Sequence, residues 1–119
     1  MARAAGSWTI ALPEIVGVEA QRKLLRIRSI RALSRLDRLG ETLGYLPLTT
    51  PIVRRAAHLW AESRASGLPT APPYAIDADV LLAATALELD PKFRVVVATT
   101  NVRHLSRFVD ARRWQDIPV

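Results

Sequence analysis

The chain contains no cysteine, which removes disulfide frameworks, thiolate metal sites and cysteine nucleophiles. Its two histidines, His58 and His104, accompany no Gly-x-Ser-x-Gly elbow, so serine–histidine catalysis has little footing. His58 falls in mid-helix beside Trp60 without a partner motif, a structural position. The five glycines are scattered, and none forms a phosphate-cradling loop. No run approaches the ~20 uncharged apolar residues of a helical membrane span. The first eight residues lack the apolar segment of a signal peptide. These absences lead to the expectation of a soluble, cytoplasmic protein with no membrane partner.

What is present fits one domain, since 119 residues lie within the usual domain range of about 100–150. Half of the chain is apolar, mostly Leu, Val, Ile and Ala, enough for one core and against disorder. The formal net charge is +6 and the pI is near 11.0. All basic residues except Lys23 and Lys92 are arginine. A basic surface favours polyanions; GC-rich coding, which raises Arg and Ala together, gives the same composition without a function.

Periodicity predicts strands alternating with helices. Trp8–Leu12 reads as a short strand. Pro13 and Glu14 open a helix to about Arg26, with Ile15, Val18, Ala20 and Leu25 inward. A second helix covers Ile30 to Leu43, with Ile30, Leu33, Leu36, Leu39 and Leu43 at helical spacing and Gly44 closing it. Tyr45–Leu48 is an edge strand, because Pro47 does not suit a central one. Thr50-Pro51 starts a helix with a hydroxyl cap, running to about Ser66 with Ile52, Ala56, Leu59, Trp60 and Ser63 buried. Residues 67–75 form a Pro-rich loop. A helix apolar nearly all round runs from Asp77 to Leu89. Val95–Ala98 is the clearest strand, and a weak terminal strand lies near residues 114–119. Such alternation argues for an α/β sandwich with a parallel sheet, whose site lies beyond the carboxyl ends of its strands.

The acids are the candidate chemistry. Asp77 and Asp79 begin the most buried helix, where Asp77 suits the cap and Asp79 the helix dipole. Glu19 has an ordinary partner in Lys23 at i+4. Neither position is specific alone. Taken in order, however, Pro13-Glu-Ile-Val-Gly-Val-Glu19-Ala-Gln-Arg-Lys-Leu, Asp77-Ala-Asp79-Val-Leu-Leu-Ala-Ala and Val95-Val-Val-Ala-Thr-Thr-Asn101-Val-Arg-His-Leu resemble PIN domains of the VapC toxin type, over nearly the whole chain. The resemblance implies a three-layer α/β/α fold with a parallel sheet. It implies metal-dependent endoribonuclease activity, with Glu19 and Asp79 as metal ligands. Asn101 falls at the post-strand catalytic position where many members carry Asp, and Thr99 at the rim. The implied cofactor is Mg²⁺ or Mn²⁺, and the implied partners are RNA, a cognate antitoxin and a second copy of the chain. Carboxylate oxygens suit such hard cations, and carboxylates crowded together need the cation in order to be ionised together. Asp77 serves better as the cap than as an alternate ligand.

The family's first strand, which ends in Asp, and the helix after it have no counterpart before Trp8. Ala2–Ala5 with Gly6 reads as the last turn of a helix, so the expectation is a single, incomplete PIN-like domain over residues 1–119. It lacks the first, central strand and its carboxylate, and marginal stability and impaired metal binding follow. Its activity would then be weakened or lost, leaving an antitoxin- or nucleic-acid-binding remnant as the competing role. Arg22, Lys23, Arg26, Arg28, Arg31, Arg35 and Arg38 face only Asp37 between residues 22 and 38. They offer a phosphate-tracking patch, a dock for an acidic antitoxin segment, or a plain solvated face; the stretch has no aromatics for base stacking.

Overall fold

A computed structural model describes residues 2–3, 8–67 and 78–118, and the chain divides into two compact units at Leu48/Thr49. The protein is mixed α/β. Among the described residues its strands form three separate two-residue ladders, two of them parallel.

In the first unit, β1 (Ala2–Arg3) pairs antiparallel with β2 (Thr9–Ile10), Ala2 opposite Ile10. After Ala11 comes β3 (Leu12–Pro13), followed by α1 (Glu14–Arg26), α2 (Ile30–Leu43) and β4 (Tyr45–Leu46). β3 pairs parallel with β4, Leu12 opposite Tyr45. The single strand expected over Trp8–Leu12 is therefore split between two ladders of opposite sense. Ala2–Arg3 is strand rather than the end of a helix, and the remainder of that expectation, residues 4–6, lies outside the described residues.

Both helices of this unit keep their expected bounds, and their inward faces match the expectation in part. On α1 Ile15 and Gly17 are buried and Ala20 and Leu24 half-buried, whereas Val18 is 50% and Leu25 57% exposed. On α2 Leu33 and Leu36 are half-buried and Gly40 and Leu43 buried, while Leu39 is exposed and Ile30 is 81% exposed. The cause is Tyr45. A Cβ at Gly17 would come within 2.5 Å of one edge of its ring (Cε1), and a Cβ at Gly40 within 2.5 Å of the other (Cε2). The glycines let both helix backbones close on the ring, so each buried face includes a glycine beside its aliphatics. Between the helices Arg28 takes φ 57°, and the Ser29 hydroxyl caps α2 by accepting the Ala32 N–H at 3.3 Å. Gly44, φ 72°, ends α2 as expected and donates its N–H to Gly40 O at 2.8 Å. Glu14 does more than favour the helix N-terminus: its Oε1 accepts the Leu48 N–H at 3.2 Å, which fixes the chain as it leaves β4.

The second unit begins with α3 (Thr50–Ala65). Its cap is Thr49, one residue earlier than expected; the Thr49 hydroxyl accepts the Ile52 N–H at 3.4 Å, and Pro51 follows inside the first turn. Ile52, Ala56 and Ser63 are buried, and Leu59 and Trp60 half-buried, the stripe expected. Next comes α4 (Ala78–Leu87); Asp77, its expected first residue, and most of the expected Pro-rich loop lie outside the described residues. α4 ends two residues before Leu89, whose N–H instead makes a turn bond to Ala86 O. Small Ala83, Ala84 and Thr85 with Val80 form its buried side, and Arg55 of α3 reaches Glu88 just past its end at 2.7 Å.

The remaining elements are β5 (Val97–Ala98), α5 (Val102–Leu105), β6 (Ala111–Arg112) and a 3-10 turn over Trp114–Asp116. β5 is half the length expected and pairs parallel with β6, Val97 opposite Ala111 and Ala98 opposite Arg112. The terminal strand therefore lies at Ala111–Arg112 rather than at 114–119. Trp114 and its neighbours coil instead, the Asp116 N–H bonding to Arg113 O at 2.9 Å. Leu105, fully buried, sits with Ala83, Val97 and Ala111 in a core flanked by Leu59, Leu82, Phe108 and Val109. That core anchors α4, β5 and α5, and so fixes the loop that carries the site.

Candidate functional site

The carboxyl end of β5 is where a parallel pair places its crevice. Ala98, the last ladder residue, is followed by Thr99, which is half-buried and donates its backbone N–H to Arg112 O at 3.0 Å. The Thr99 hydroxyl then accepts the Asn101 backbone N–H at 2.9 Å. This side-chain turn reverses the chain and starts α5, whose first residues are Val102 and Arg103. It also directs the Asn101 side chain at α4. There Asn101 Nδ2 donates to Asp79 Oδ2 at 2.7 Å, between groups 22 residues apart in the chain. Both residues are half-buried.

Asp79 is the second described residue of α4 and sits in its first turn. The helix dipole favours a carboxylate there. Position alone thus explains an acid at 79. The short bond to Asn101 is the additional fact: two of the three residues assigned to the site by resemblance meet at the expected sheet edge.

The third, Glu19, belongs to the first unit. It lies in the middle of α1, half-buried, and its Oε2 is held by Arg22 at 3.1 Å. The ordinary ion pair expected with Lys23 is made with Arg22 instead, one residue nearer. Arg22 is largely exposed, so the pair contributes little to stability. Within neither unit do three His, Asp or Glu side chains gather to hold a metal ion, among the described residues.

The chemistry of the Asp79–Asn101 pair is that of oxygen donors. Carboxylate and amide oxygens suit a hard divalent cation. The amide orientation matters here. With Nδ2 toward Asp79 the pair satisfies itself; with the amide turned over, two oxygens would face each other at 2.7 Å, an arrangement that requires a cation or a proton between them. By donor type the pair accommodates Mg²⁺ or Mn²⁺, with one negative charge where two carboxylates would supply two.

Elsewhere, His58 and His104 are both exposed. His104 Nδ1 lies 3.4 Å from an Arg107 nitrogen, and the Arg107 guanidinium stacks on Phe108 at 5.3 Å from the ring centroid. Arg22, Lys23, Arg26, Arg28, Arg31, Arg35 and Arg38 are all exposed on the first unit. Sequence reasoning missed Arg113 and Trp114, which follow β6 at the same end of the ladder as Asn101; the Arg-Arg-Trp run directly after the last strand was the available signal. No helix among the described residues is long and apolar enough to cross a membrane. No protein-family model, curated protein or solved structure matches the chain.

Proposed function

We propose that the chain is a metal-dependent RNA-cleaving domain of the PIN, VapC-like kind, working through Asp79 and Asn101. The observation that carries the reading is the Asp79–Asn101 contact of 2.7 Å at the carboxyl edge of a parallel strand pair. Two residues singled out for their order in the sequence, with nothing local to draw them together, are hydrogen-bonded in space. The three-layer sandwich, the RNA substrate, the antitoxin and the homodimer belong to this same proposal.

In this reading Asp79 would hold Mg²⁺ or Mn²⁺, and Asn101 orients the Asp79 carboxylate. The bound ion supplies a more acidic water and offsets charge on the phosphate. The protein contributes fixed oxygens at the N-terminus of α4 and a Thr99-anchored loop that holds Asn101 at its distance, which limits reorganisation. The neutral amide at 101 reduces the negative charge of the site and keeps metal affinity low.

A second reading is an inactive remnant that binds an antitoxin or nucleic acid. One observation favours it: Asn101 already gives Asp79 a hydrogen-bonding partner, so the carboxylate is satisfied without an ion. A cleavage assay separates the two. Single-stranded RNA incubated with the chain is expected to be cut slowly in Mn²⁺ or Mg²⁺ and not in EDTA, with Asp79→Ala abolishing cleavage. RNA left intact at millimolar metal while still bound by the chain supports the second reading and overturns the first.

A further inference from the structure

The second unit carries a basic run that differs from the one at residues 22–38 by ending in an aromatic. Arg94, Arg103, Arg107, Arg112 and Arg113 face a single acid, Asp110, between residues 94 and 113, and Trp114 follows at once. Asp110 is engaged by Arg112, Nε to Oδ1 at 3.0 Å. Arg113 is exposed and makes no side-chain ion pair among the described residues. Trp114 is 72% exposed. The chain therefore places an unneutralised guanidinium beside an indole that the fold leaves in water.

The ladder register gives these two residues a location. Ala98 is opposite Arg112, and the strands run parallel. One step further along each strand, Thr99 and Thr100 leave β5 at the edge where Arg113 and Trp114 leave β6. This is the edge that carries the Asp79–Asn101 pair. The backbone at 113–114 is held by the 3-10 turn, with Arg113 O accepting from Asp116 and Trp114 O from Ile117. An indole on a fixed backbone has two side-chain torsions to lose on binding, a low entropic cost for its area. Arg103, also exposed, is the second residue of α5, two after Asn101, and adds a second cation at the same edge.

We propose that Trp114 stacks on a base, and Arg113 contacts a phosphate, of single-stranded RNA lying across the carboxyl edge of β5 and β6. The choice of RNA rests on the nuclease reading above; the stacking subsite rests on the register and exposure of these two residues. Every base has a π-face, so such a platform tolerates sequence and selects unpaired nucleotides. A duplex keeps its bases from the indole. Arg113 supplies attraction that salt screens. The arrangement makes the β5–β6 edge the place where an RNA strand is gripped, and the arginines of residues 22–38 are not needed for it.

The test uses the full chain in EDTA with a fluorescein-labelled single-stranded oligouridylate, read by anisotropy. Trp114→Ala is expected to weaken binding about tenfold, within the ~1–3 kcal/mol that stacking on one base contributes, while Trp114→Phe retains most of the affinity. Arg113→Ala is expected to weaken binding severalfold and to lower the slope of log affinity against log salt by about one. A duplex of the same length shows no Trp114 dependence. Because the Trp114 side chain is mostly in solvent, a circular-dichroism melt of each variant should match wild type. Wild-type affinity in Trp114→Ala, no binding by the wild-type chain, or equal losses on single strand and duplex overturns the subsite. Trp114-dependent binding without metal-dependent cleavage upholds it and removes the nuclease reading.

Discussion

Asn101 is the residue on which the site's chemistry turns. Its Nδ2 donates to Asp79 Oδ2 at 2.7 Å, and its backbone is fixed by the Thr99 hydroxyl. Asn101→Asp puts two carboxylates where one now accepts from an amide. Without a cation they repel, and one is driven to take up a proton; with a cation they form a more negative oxygen cage. The variant is therefore expected to melt at a lower temperature than wild type in EDTA, and to gain more in melting temperature when Mn²⁺ is added. Its Mn²⁺ affinity is expected to rise about tenfold, or ~1.4 kcal/mol. Thermal melts with and without Mn²⁺ measure both effects; an unchanged response to Mn²⁺ shows that residue 101 does not face the ion.

Among the elements, the α1–α2 hairpin shows where the sequence was legible and where it was not. Both helices had the expected bounds because their start and stop signals are local: Pro13-Glu14 at one end, Gly44 at the other. Their buried faces were only partly legible, because the deciding contact is long-range. Tyr45 sits between Gly17 and Gly40, and glycine contributes nothing to a pattern of apolar periodicity, so the expected stripes held Ile15, Ala20, Leu33, Leu36 and Leu43 correctly but also took in the exposed Val18, Leu25, Ile30 and Leu39. A glycine inside a helical pattern was the available cue, since it lowers helix stability and calls for a packing reason. The same contrast holds at the site. The positions of Asp79 and Asn101 were legible from their order, the position of Trp114 was not, because a 3-10 turn has no apolar period to read. Gly17→Ala or Gly40→Ala is expected to destabilise the first unit despite the ~1 kcal/mol helix gain from alanine. The ring lies between the two glycines and is 41% exposed, so a new methyl presses it toward the opposite helix or out of its seat into solvent, an overpacking cost of about 1–3 kcal/mol. Urea unfolding followed by circular dichroism checks this. Adding Tyr45→Ala to either variant should remove most of the alanine penalty, and a penalty that persists in the double variant excludes the ring as its cause.

At the scale of the whole molecule, the proposed RNA-cleaving role draws on charge and on one site. The net charge of +6 favours a polyanion, and its cations occur in two runs of different character. Residues 22–38 present exposed arginines without an aromatic; residues 94–114 end in Arg113 and Trp114 beside the Asp79–Asn101 edge. Electrostatic attraction from either run strengthens binding to any phosphate chain, but the proposed metal-dependent cleavage also needs a cation held by carboxylate oxygen. The account therefore depends on whether Asp79 binds a divalent ion. Calorimetric titration of the full chain with MnCl₂ addresses this directly. The expected result is weak binding of one ion per chain, lost in Asp79→Ala and unaltered in Arg113→Ala. Equal Mn²⁺ binding by wild type and Asp79→Ala, or none by wild type at millimolar Mn²⁺, contradicts the account.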